Sequence, residues 1–359
     1  MPPNFIMKIL FGICSIGLGH ATRELPIIKK LLEKGHEIHI VTSGRSLIVL
    51  KKELKNSCTF YDVPDYKLPF GKKKFKTTMV PLYVPTGMRQ IYKEHLFVKK
   101  THEKEKFDRI ISDNRFGIYM EDVPSYFISH QLSFIVPKIF AYIAEFLNYL
   151  LQRKFKYCVV PDFEKNSLTG AISHDLKVFP KKFVKYIGIL SSAKKENITQ
   201  DIDYFISISG PEPQRTIFQH KILSQLKDLD GKIVVTLGKP ETQEKIYSKQ
   251  GSTTVYNYLS RKDQEKMMNR AKFVICRSGY TTMMELVELG KKALLVPTPG
   301  QIEQVYLSNF HNQKKTFFSV PEKKLHLARD VAKAKSYDGF KTKEKTNESV
   351  EKFLKLIEV

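Results

Sequence analysis

The chain has 359 residues, of which 42% are hydrophobic and 27% are charged, and its formal net charge at pH 7 is +23. This balance excludes a disordered chain, and the length leaves room for two domains with sizeable cores. The positive charge predicts an anionic partner, namely a nucleotide, a nucleic acid or an anionic lipid, although a general bias toward lysine would explain it without any function.

The cysteines and the first residues of the chain indicate the cellular compartment. The cysteines at positions 14, 58, 158 and 276 are scattered, without the spacing of a disulfide framework or a zinc site. The apolar residues 6–13 run directly into a glycine loop, so we interpret them as a first strand rather than as a signal peptide. We therefore expect a cytoplasmic protein and no metal site.

The first predicted unit is a strand, a glycine loop, a helix and a second strand over residues 7–41. Gly17 and Gly19 in the loop are typical of a dinucleotide site, but Thr22 stands where such a site has a third glycine. No acidic residue follows the second strand to bind a ribose. The pattern therefore argues against a nicotinamide cofactor.

His20 opens the predicted helix after this loop. A neutral imidazole at that position can take a proton from an acceptor hydroxyl, because imidazole titrates near neutrality. Alternatively, His20 caps the helix or binds a phosphate without any proton transfer. Both interpretations stay open from the sequence.

Residues 62–106 interrupt the alternation of strands and helices. Residues 67–76 combine five lysines with aromatic side chains, and prolines at positions 64, 69, 81 and 85 argue against a continuous helix. We expect a long irregular loop. Its lysines would suit an anionic membrane surface, its aromatic residues would suit single-stranded nucleic acid, and a solvated flexible loop would need neither.

Polar side chains follow the next two predicted strands, residues 109–112 and 126–129. Asp113 and Asn114 come after the first strand, and His130 and Gln131 come after the second. The carboxyl ends of parallel strands meet at one edge of a sheet, so we expect these groups near the glycine loop. Asp113 is then a second candidate base, or the group that orients His20.

A strongly apolar stretch, residues 134–151, predicts a helix. Polar residues interrupt it, so we do not expect it to cross a membrane. Its wide apolar face favours packing in the core, and the sharper alternative is a patch against a membrane surface. Cations at positions 153, 154 and 156 follow directly.

The second half of the chain begins after a polar stretch, residues 191–200, which we interpret as a linker. A strand over residues 204–209 leads into Gly210, which allows close backbone approach, and Arg215 is suited to pair with a diphosphate. The Asp201-x-Asp203 pair has metal-ligand spacing. It precedes a strand rather than following one, so we regard it as incidental.

Residues 272–304 predict a strand, a tight turn, a helix, a second strand and a loop. The turn at Ser278 and Gly279 opens a helix near Thr281, so its free N–H groups and the helix dipole offer a diphosphate site. Glu285 lies one turn into the helix, where a carboxylate can accept two ribose hydroxyls. The plain alternative is an ordinary βαβ unit with a small turn.

Two of these segments resemble those of a known protein family. RSGYTTMMELVELGKKALLVPTPGQIEQ, residues 277–304, resembles the donor-site segment of GT-B glycosyltransferases, and GLGHATR, residues 17–23, resembles their first glycine motif. The similarity is closest to the MurG-type N-acetylglucosaminyltransferases that build lipid II, and to archaeal and bacterial relatives of unassigned acceptor. It extends over roughly residues 7–330. Glu303 stands where the family more commonly has glutamine, which leaves the sugar open.

The resemblance implies a role for each matching residue. The Ser-Gly turn would face the diphosphate of a UDP-sugar, Glu285 the ribose, Glu303 and Gln304 the sugar, and the residues at 258 and 259 the uracil. The implied donor-binding residues are Gly210, Arg215, Tyr258, Leu259, Ser278, Gly279, Tyr280, Thr281, Glu285, Glu303 and Gln304. The implied acceptor residues are Gly17, Gly19, Thr22, Arg23, Asn114, His130 and Gln131, with His20 and Asp113 as catalytic candidates.

The sequence thus predicts an α/β protein of the GT-B fold, with two Rossmann-like domains facing across a cleft and a C-terminal helix crossing back to the first. We expect an acceptor domain at 1–190, a linker at 191–200, a nucleotide-sugar domain at 201–340 and the helix at 341–359. The predicted activity is inverting, metal-independent transfer of a sugar from UDP-sugar, a co-substrate, with no other cofactor. The acceptor would be a lipid or a glycan, with the enzyme peripheral on the cytoplasmic membrane face.

Two alternatives remain. UDP-sugar 2-epimerases share the fold and bind UDP, but they need an acid/base set around the second carbon of the sugar, and the sequence offers no clear one. A non-catalytic protein that binds nucleic acid or a membrane through its positive charge is the other. We expect no nucleic acid as a partner of the transferase.

Overall fold

The protein is described by a computed structural model that covers residues 6–65, 80–239, 242 and 244–359. The lysine-rich residues 67–76 lie outside these ranges, so the predictions made for them stay predictions. The chain divides into two compact units. Unit 1 comprises residues 1–192 and 344–359, and unit 2 comprises residues 193–343.

Unit 1 is built on a seven-stranded parallel sheet in the order β3-β2-β1-β4-β5-β6-β7. Its strands are near-continuous apolar runs because helices cover both faces of a parallel sheet. The strands are β1 (Lys8–Ile13), β2 (Glu37–Thr42), β3 (Thr59–Asp62), β4 (Arg109–Asp113), β5 (Ser125–Ile128), β6 (Tyr157–Val160) and β7 (Val184–Tyr186). The helices are α1 (Gly19–Glu33), α2 (Gly44–Leu54), α3 (Val80–Glu105), α4 (Lys138–Gln152) and, after unit 2, α10 (Thr346–Leu356).

Unit 2 has a second seven-stranded sheet, in the order β10-β11-β9-β8-β12-β13-β14, and only the β10–β11 pair is antiparallel. Its strands are β8 (Ile202–Ser207), β9 (Ile233–Thr236), β10 (Ile246–Gln250), β11 (Thr253–Tyr256), β12 (Ala271–Cys276), β13 (Lys292–Leu295) and β14 (Phe318–Ser319). Its helices are α5 (Gln214–Leu223), α6 (Arg261–Arg270), α7 (Tyr280–Leu289), α8 (Ile302–Gln313) and α9 (Leu327–Lys335).

The strand order of each sheet reverses at one place. In unit 1 the chain moves outward in opposite directions from β1 and β4, whose last residues, Ile13 and Asp113, are paired across the two strands. In unit 2 the reversal lies between β8 and β12, where Ser207 pairs with Cys276. Loops that leave such a reversal diverge and open a crevice, which is where open α/β sheets bind ligands.

The C-terminal helix α10 belongs to unit 1, where it packs against α1. The N–H of Ser191 donates to Oγ1 of Thr346 at 3.0 Å, and Nε of Arg109 donates to the carbonyl of Ile357 at 3.0 Å. Residues 193–200, assigned to a linker from the sequence, fall within unit 2, whose other boundary is at residue 343.

The expectation that residues 62–106 form a long irregular loop is wrong for their second half. Residues 80–105 form α3, the longest described helix, and it contains Pro85. Because Pro85 lies near the amino end, it removes one hydrogen bond without ending the helix. On the inner side of α3, Glu94 is fully buried and forms an ion pair with Arg115.

The favoured interpretation of residues 134–151 as a core-packing helix is also wrong. The helix α4 forms as predicted, but its largest apolar side chains are exposed to solvent. Among the described residues, no helix is both long enough and apolar enough to cross a membrane.

Candidate functional site

The carboxyl ends of β1 and β4 bring a histidine and an aspartate together in unit 1. Nδ1 of His20, in the first turn of α1, lies 2.9 Å from Oδ1 of Asp113, the last residue of β4. Asp113 is fully buried, whereas the side chain of His20 retains 17% of its exposure. The two residues are 93 positions apart in the sequence, and the strand order alone makes them neighbours.

Arg23 keeps the carboxyl group of Asp113 ionised. Its guanidinium donates through Nε to Oδ2 of Asp113 at 2.9 Å and through Nη2 to Oδ1 of the same carboxylate. Burial alone would raise the pKa of Asp113, but the adjacent Arg23 and His20 outweigh it and hold that pKa below its ordinary value. Asp113 is therefore held as a carboxylate, which only accepts hydrogen bonds.

The partners of the two histidines determine opposite tautomers. Because the carboxylate of Asp113 can only accept, the neutral ring of His20 carries its proton on Nδ1 and its lone pair on Nε2. Nη1 of Arg23 lies 3.0 Å from Nδ1 of His130, and a guanidinium can only donate. The neutral ring of His130 therefore carries its proton on Nε2. The neutral ring of His20 can thus accept a proton at Nε2.

Glu24 is a site residue that the sequence analysis missed. Its carboxyl group is fully buried next to Arg23, with 3.6 Å between Nε and the nearest carboxylate oxygen. Burial raises the pKa of Glu24, and the nearby charge of Asp113 raises it further. A glutamate in a helix after a glycine loop carries no signal of this kind in the sequence, because burial depends on α1 packing into the sheet.

The glycine loop and the ends of the neighbouring strands complete this edge of unit 1. Gly17 has φ +84°, which favours glycine, and a side chain at that position would meet no atom within 4 Å. Gly19 begins α1, and the hydroxyl of the buried Thr22 donates to its carbonyl at 3.2 Å. Asn114 donates through its side-chain amide to Oδ1 of Asp113 at 3.2 Å. Gln131 is half-buried directly after His130.

In unit 2 the turn between β12 and α7 forms as predicted. Gly279 immediately precedes α7 in an extended conformation, and Gly290 ends the helix with φ +64°. A side chain at Gly279 would meet an atom only at 4.0 Å, so the approach to the first turn of α7 is open. Tyr280 is buried in that first turn, and Thr281 beside it is half-buried. There is thus room beside Gly279 at the amino end of α7, where the first N–H groups of a helix can bind an anion.

Ser278 and Gln304 connect this turn to the loop after β13. The hydroxyl of Ser278, fully buried, donates to the carbonyl of Gln304 at 3.0 Å. The side-chain oxygen of Gln304 in turn accepts the N–H of Thr298 at 2.8 Å. Glu303 lies in the first turn of α8 and is half-buried. The sequence-predicted donor residues on these two segments are thus brought to one edge of the sheet.

Glu285 is buried on α7, where it accepts from Nη2 of Arg261 at 3.1 Å. Burial raises the pKa of Glu285, and the positive charge of Arg261 opposes this rise. Arg261 begins α6, which follows the half-buried Tyr258 and Leu259. The carboxylate therefore lies in a dry environment, where a hydrogen bond to a ribose hydroxyl is stronger than at an exposed site.

For a Glu285 that binds the ribose of a UDP-sugar, as the resemblance implies, the raised pKa predicts that the affinity falls on the acid side of a titration from about pH 8 to about pH 5. Protonated Glu285 loses an acceptor for the ribose, and its pKa lies above that of an exposed glutamate, so the loss begins at a higher pH. The ligand should be a UDP-sugar, because UDP itself has a terminal phosphate that titrates near about pH 6. Calorimetric titration at several pH values checks this. An affinity that stays constant over the range would contradict it.

Gly210 and Arg215 lie at the carboxyl end of β8. Gly210 has φ +117°, and a side chain there would approach Oγ1 of Thr298 at 3.8 Å. The guanidinium of Arg215, on α5, pairs with Glu212 at 2.8 Å and donates to the carbonyl of Gly238. A diphosphate at this position would compete with Glu212 for Arg215.

Arg277 is a second residue that the sequence analysis missed. It is buried with its guanidinium 3.8 Å from the centre of the Phe218 ring and 2.6 Å from the carboxylate of Glu322. It also donates to backbone carbonyls after β8 and β13, including that of Pro297 at 3.2 Å and that of Gln214 at 3.2 Å. Arg277 therefore ties together the loops that surround the turn at Ser278.

Replacing Arg277 by methionine should lower the free energy of unfolding of unit 2 by about 3 to 5 kcal/mol, because Glu322 is left as an uncompensated buried charge. Removing both charges, with Glu322→Gln added, should recover part of this loss. The exposed Lys341, which pairs with the exposed Asp338 in the same unit, offers a control, Lys341→Met, worth about 0 to 1 kcal/mol. Chemical denaturation measures all three. Equal losses for the two single variants would show that Arg277 is not a structural tie.

Two clusters of metal-type ligands lie away from these edges. Asp201 and Asp203 lie at the amino end of β8, where Arg270, Lys232 and Lys272 pair with them. This placement agrees with the interpretation of the pair as incidental. Glu37, His39 and Glu105 also lie close together. Nζ of Lys8 is 3.5 Å from the first and 3.2 Å from the third, so an ammonium group already neutralises part of their charge.

Comparison with known proteins agrees with this arrangement. Residues 214–357 match the glycosyltransferase family 28 C-terminal domain, and residues 7–120 match glycosyl transferase family 1. An uncharacterized glycosyltransferase of Methanosarcina mazei is 26% identical, and the match covers 92% of each chain.

Solved structures share the fold. MurG of Acinetobacter baumannii has a TM-score of 0.59 at 15% identity, with 98% of this chain and 99% of that chain covered. The spinosyn rhamnosyltransferase SpnG, complexed with thymidine diphosphate, has a TM-score of 0.60 at 11% identity, with 98% and 96% covered. The predicted α/β GT-B fold is confirmed. The chain is a glycosyltransferase of the GT-B type, and its residues 214–357 match the family 28 C-terminal domain.

Proposed function

We propose that the protein transfers a sugar from a UDP-sugar to a hydroxyl group of an acceptor, with inversion at the anomeric carbon. The observation that carries this proposal is the hydrogen bond between His20 and Asp113 at the strand reversal of unit 1. It leaves Nε2 of His20 as a proton acceptor on a partly exposed ring, which is what the deprotonation of a hydroxyl requires.

The donor is proposed to bind unit 2. The diphosphate would lie at the first turn of α7, beside the buried Ser278 and the open position of Gly279. Glu285 would accept the ribose hydroxyls, and Tyr258 and Leu259 would contact the base. A related fold complexed with thymidine diphosphate supports a nucleoside diphosphate as the leaving group. The resemblance to MurG-type enzymes favours uridine over thymidine.

The proposed reaction balances without a further reactant. The acceptor oxygen forms a bond to the anomeric carbon as the bond from that carbon to the diphosphate oxygen breaks. The proton of the hydroxyl passes to Nε2 of His20, and the bonding electrons leave with UDP. Asp113 stabilises the resulting imidazolium, because Arg23 keeps the carboxylate of Asp113 ionised. The helix dipole of α7 stabilises the charge that develops on UDP, so no metal is required.

Equilibrium binding of nucleotides tests this proposal. A thermal-shift panel of UDP, TDP, GDP and ADP with their sugar conjugates should give a shift selective for uridine compounds. Ligand at a hundredfold excess over the dissociation constant should stabilise the protein by about 2.7 kcal/mol. A larger shift with TDP would indicate thymidine rather than uridine as the nucleoside of the donor. No shift with any nucleotide would contradict the proposed donor site.

A further inference from the structure

The helix α4 is turned with its polar side inward. Glu145, Asn148 and Gln152, spaced three and four positions apart, are 4%, 3% and 0% exposed. A helix that covers the core of a soluble domain has the opposite arrangement. The side chains that α4 presents to solvent are Ile139, Phe140, Tyr142, Ile143, Phe146 and Leu147, each more than 40% exposed.

Specific hydrogen bonds hold α4 in this orientation. Oε1 of Glu145 accepts the N–H groups of Lys177 at 2.8 Å and of Val178 at 2.7 Å. The amide of Asn148 donates to the carbonyl of Leu132 at 2.8 Å, and Gln152 donates to Asn148 at 2.9 Å. Turning the helix to bury its apolar side would leave these groups without partners, at a cost for each one. The exposure of the apolar side is therefore built into the fold.

The helix α3 carries a second exposed apolar stripe, formed by Val84, Met88, Tyr92 and Leu96 at intervals of four residues. The crossovers through α3 and through α4 run in the same direction along the sheet, so right-handed connections place both helices on one face. Tyr119 contacts α3 and the residues just after α4: the ring of His95 stacks on it at 4.4 Å, and Nζ of Lys154 is 4.8 Å from its centre.

The segments that adjoin α4 are positively charged. Residues 176–183 pack against the helix through the bonds to Glu145 and through Tyr149, which contacts the ring of Phe179 at 5.4 Å. Residues 134–156 and 176–183 together contain one carboxylate, the buried Glu145. The lysines and arginines of the same two segments are Lys138, Arg153, Lys154, Lys156, Lys177, Lys181 and Lys182.

We propose that the exposed sides of α4 and α3 form a docking surface for an anionic lipid bilayer. An interfacial helix combines an apolar side that enters the boundary of the acyl chains with cations that contact the headgroups. A second copy of this chain fits less well, because it would bring the same positive charge to the contact. The proposal deepens the proposed function, since it names the surface where a lipid-linked acceptor would be met. It does not depend on nucleotide binding.

Vesicle flotation of the full chain tests the docking surface. The protein should float with vesicles that contain phosphatidylglycerol and not with vesicles of phosphatidylcholine alone, and added salt should reduce the bound fraction. The variant Ile143→Gln Leu147→Gln should lower the vesicle affinity at least about tenfold. Both side chains are 55% exposed, so we expect the variant to fold.

A matched control replaces two apolar residues of similar exposure in unit 2, Ile246→Gln and Ile302→Gln, and should bind vesicles like the wild type. Equal binding by the α4 variant and the wild type would overturn the proposal. Self-association of the wild type without lipid, lost in the α4 variant, would assign the surface to a second copy instead. A thermal shift with UDP, measured on the same samples, separates a failure of this proposal from a failure of the proposed function.

Discussion

Replacing His20 by glutamine is expected to lower kcat for sugar transfer by about 10²- to 10⁴-fold, the usual contribution of a general base. Glutamine keeps a polar side chain near Asp113 but offers no basic nitrogen. Because the proposed donor residues all lie in unit 2, the affinity for UDP should stay within about threefold of the wild type. Steady-state release of UDP and calorimetric titration measure the two quantities on one preparation.

His220 provides the control for this substitution. It lies in the last turn of α5 and is exposed, so His220→Gln should leave both kcat and UDP affinity unchanged. If His20→Gln retains the rate of the wild type, His20 is not the base, and its bond to Asp113 is structural. If the rate falls only because UDP no longer binds, the assignment of donor and acceptor roles to the two units is wrong.

Replacing Glu285 by glutamine is expected to weaken UDP binding by about 30- to 1000-fold, or about 2 to 4 kcal/mol. The buried carboxylate is proposed to accept two ribose hydroxyls, and hydrogen bonds to a charged acceptor each contribute more than those to a neutral one. Glutamine keeps the size of the side chain but can accept at one atom only. Calorimetric titration with UDP gives the affinity directly.

Asp203→Asn is the matched control in the same unit. Asp203 pairs with Lys272 at the amino end of β8, away from the proposed donor residues, so this variant should bind UDP like the wild type. Equal UDP affinities for the Glu285 variant and the wild type would show that Glu285 does not bind the ribose. A lowered unfolding midpoint in the Glu285 variant alone would instead point to its ion pair with Arg261.

Local signals in the sequence predicted the segment around the donor site well. Helix α7 ends at Gly290, whose left-handed conformation a glycine adopts without strain, and apolar runs on either side define β12 and β13. The pairing of His20 with Asp113 also followed from the sequence, because polar residues after successive parallel strands share one edge of the sheet. Each of these inferences rests on backbone rules that hold for any packing.

The orientation of α4 could not be predicted in the same way. Periodicity shows that a helix has an apolar side, but which side faces inward depends on what the sheet and residues 176–183 offer it. Here they offer the N–H groups of Lys177 and Val178, which Glu145 satisfies. The partners of the buried Arg23 and Arg277 could not be predicted either, because they lie far away in the sequence.

The central claim is that the chain consumes a UDP-sugar by transferring its sugar. The most direct measurement follows the two phosphorus signals of a UDP-sugar by NMR while wild-type protein acts on it in the presence of lipid and glycan acceptors. The account predicts that the UDP-sugar signals are replaced by those of UDP, with equimolar sugar on the acceptor and a rate that His20→Gln lowers at least about a hundredfold. A UDP-sugar whose sugar is isomerised without release of UDP, or one that stays unchanged with every acceptor, would contradict it.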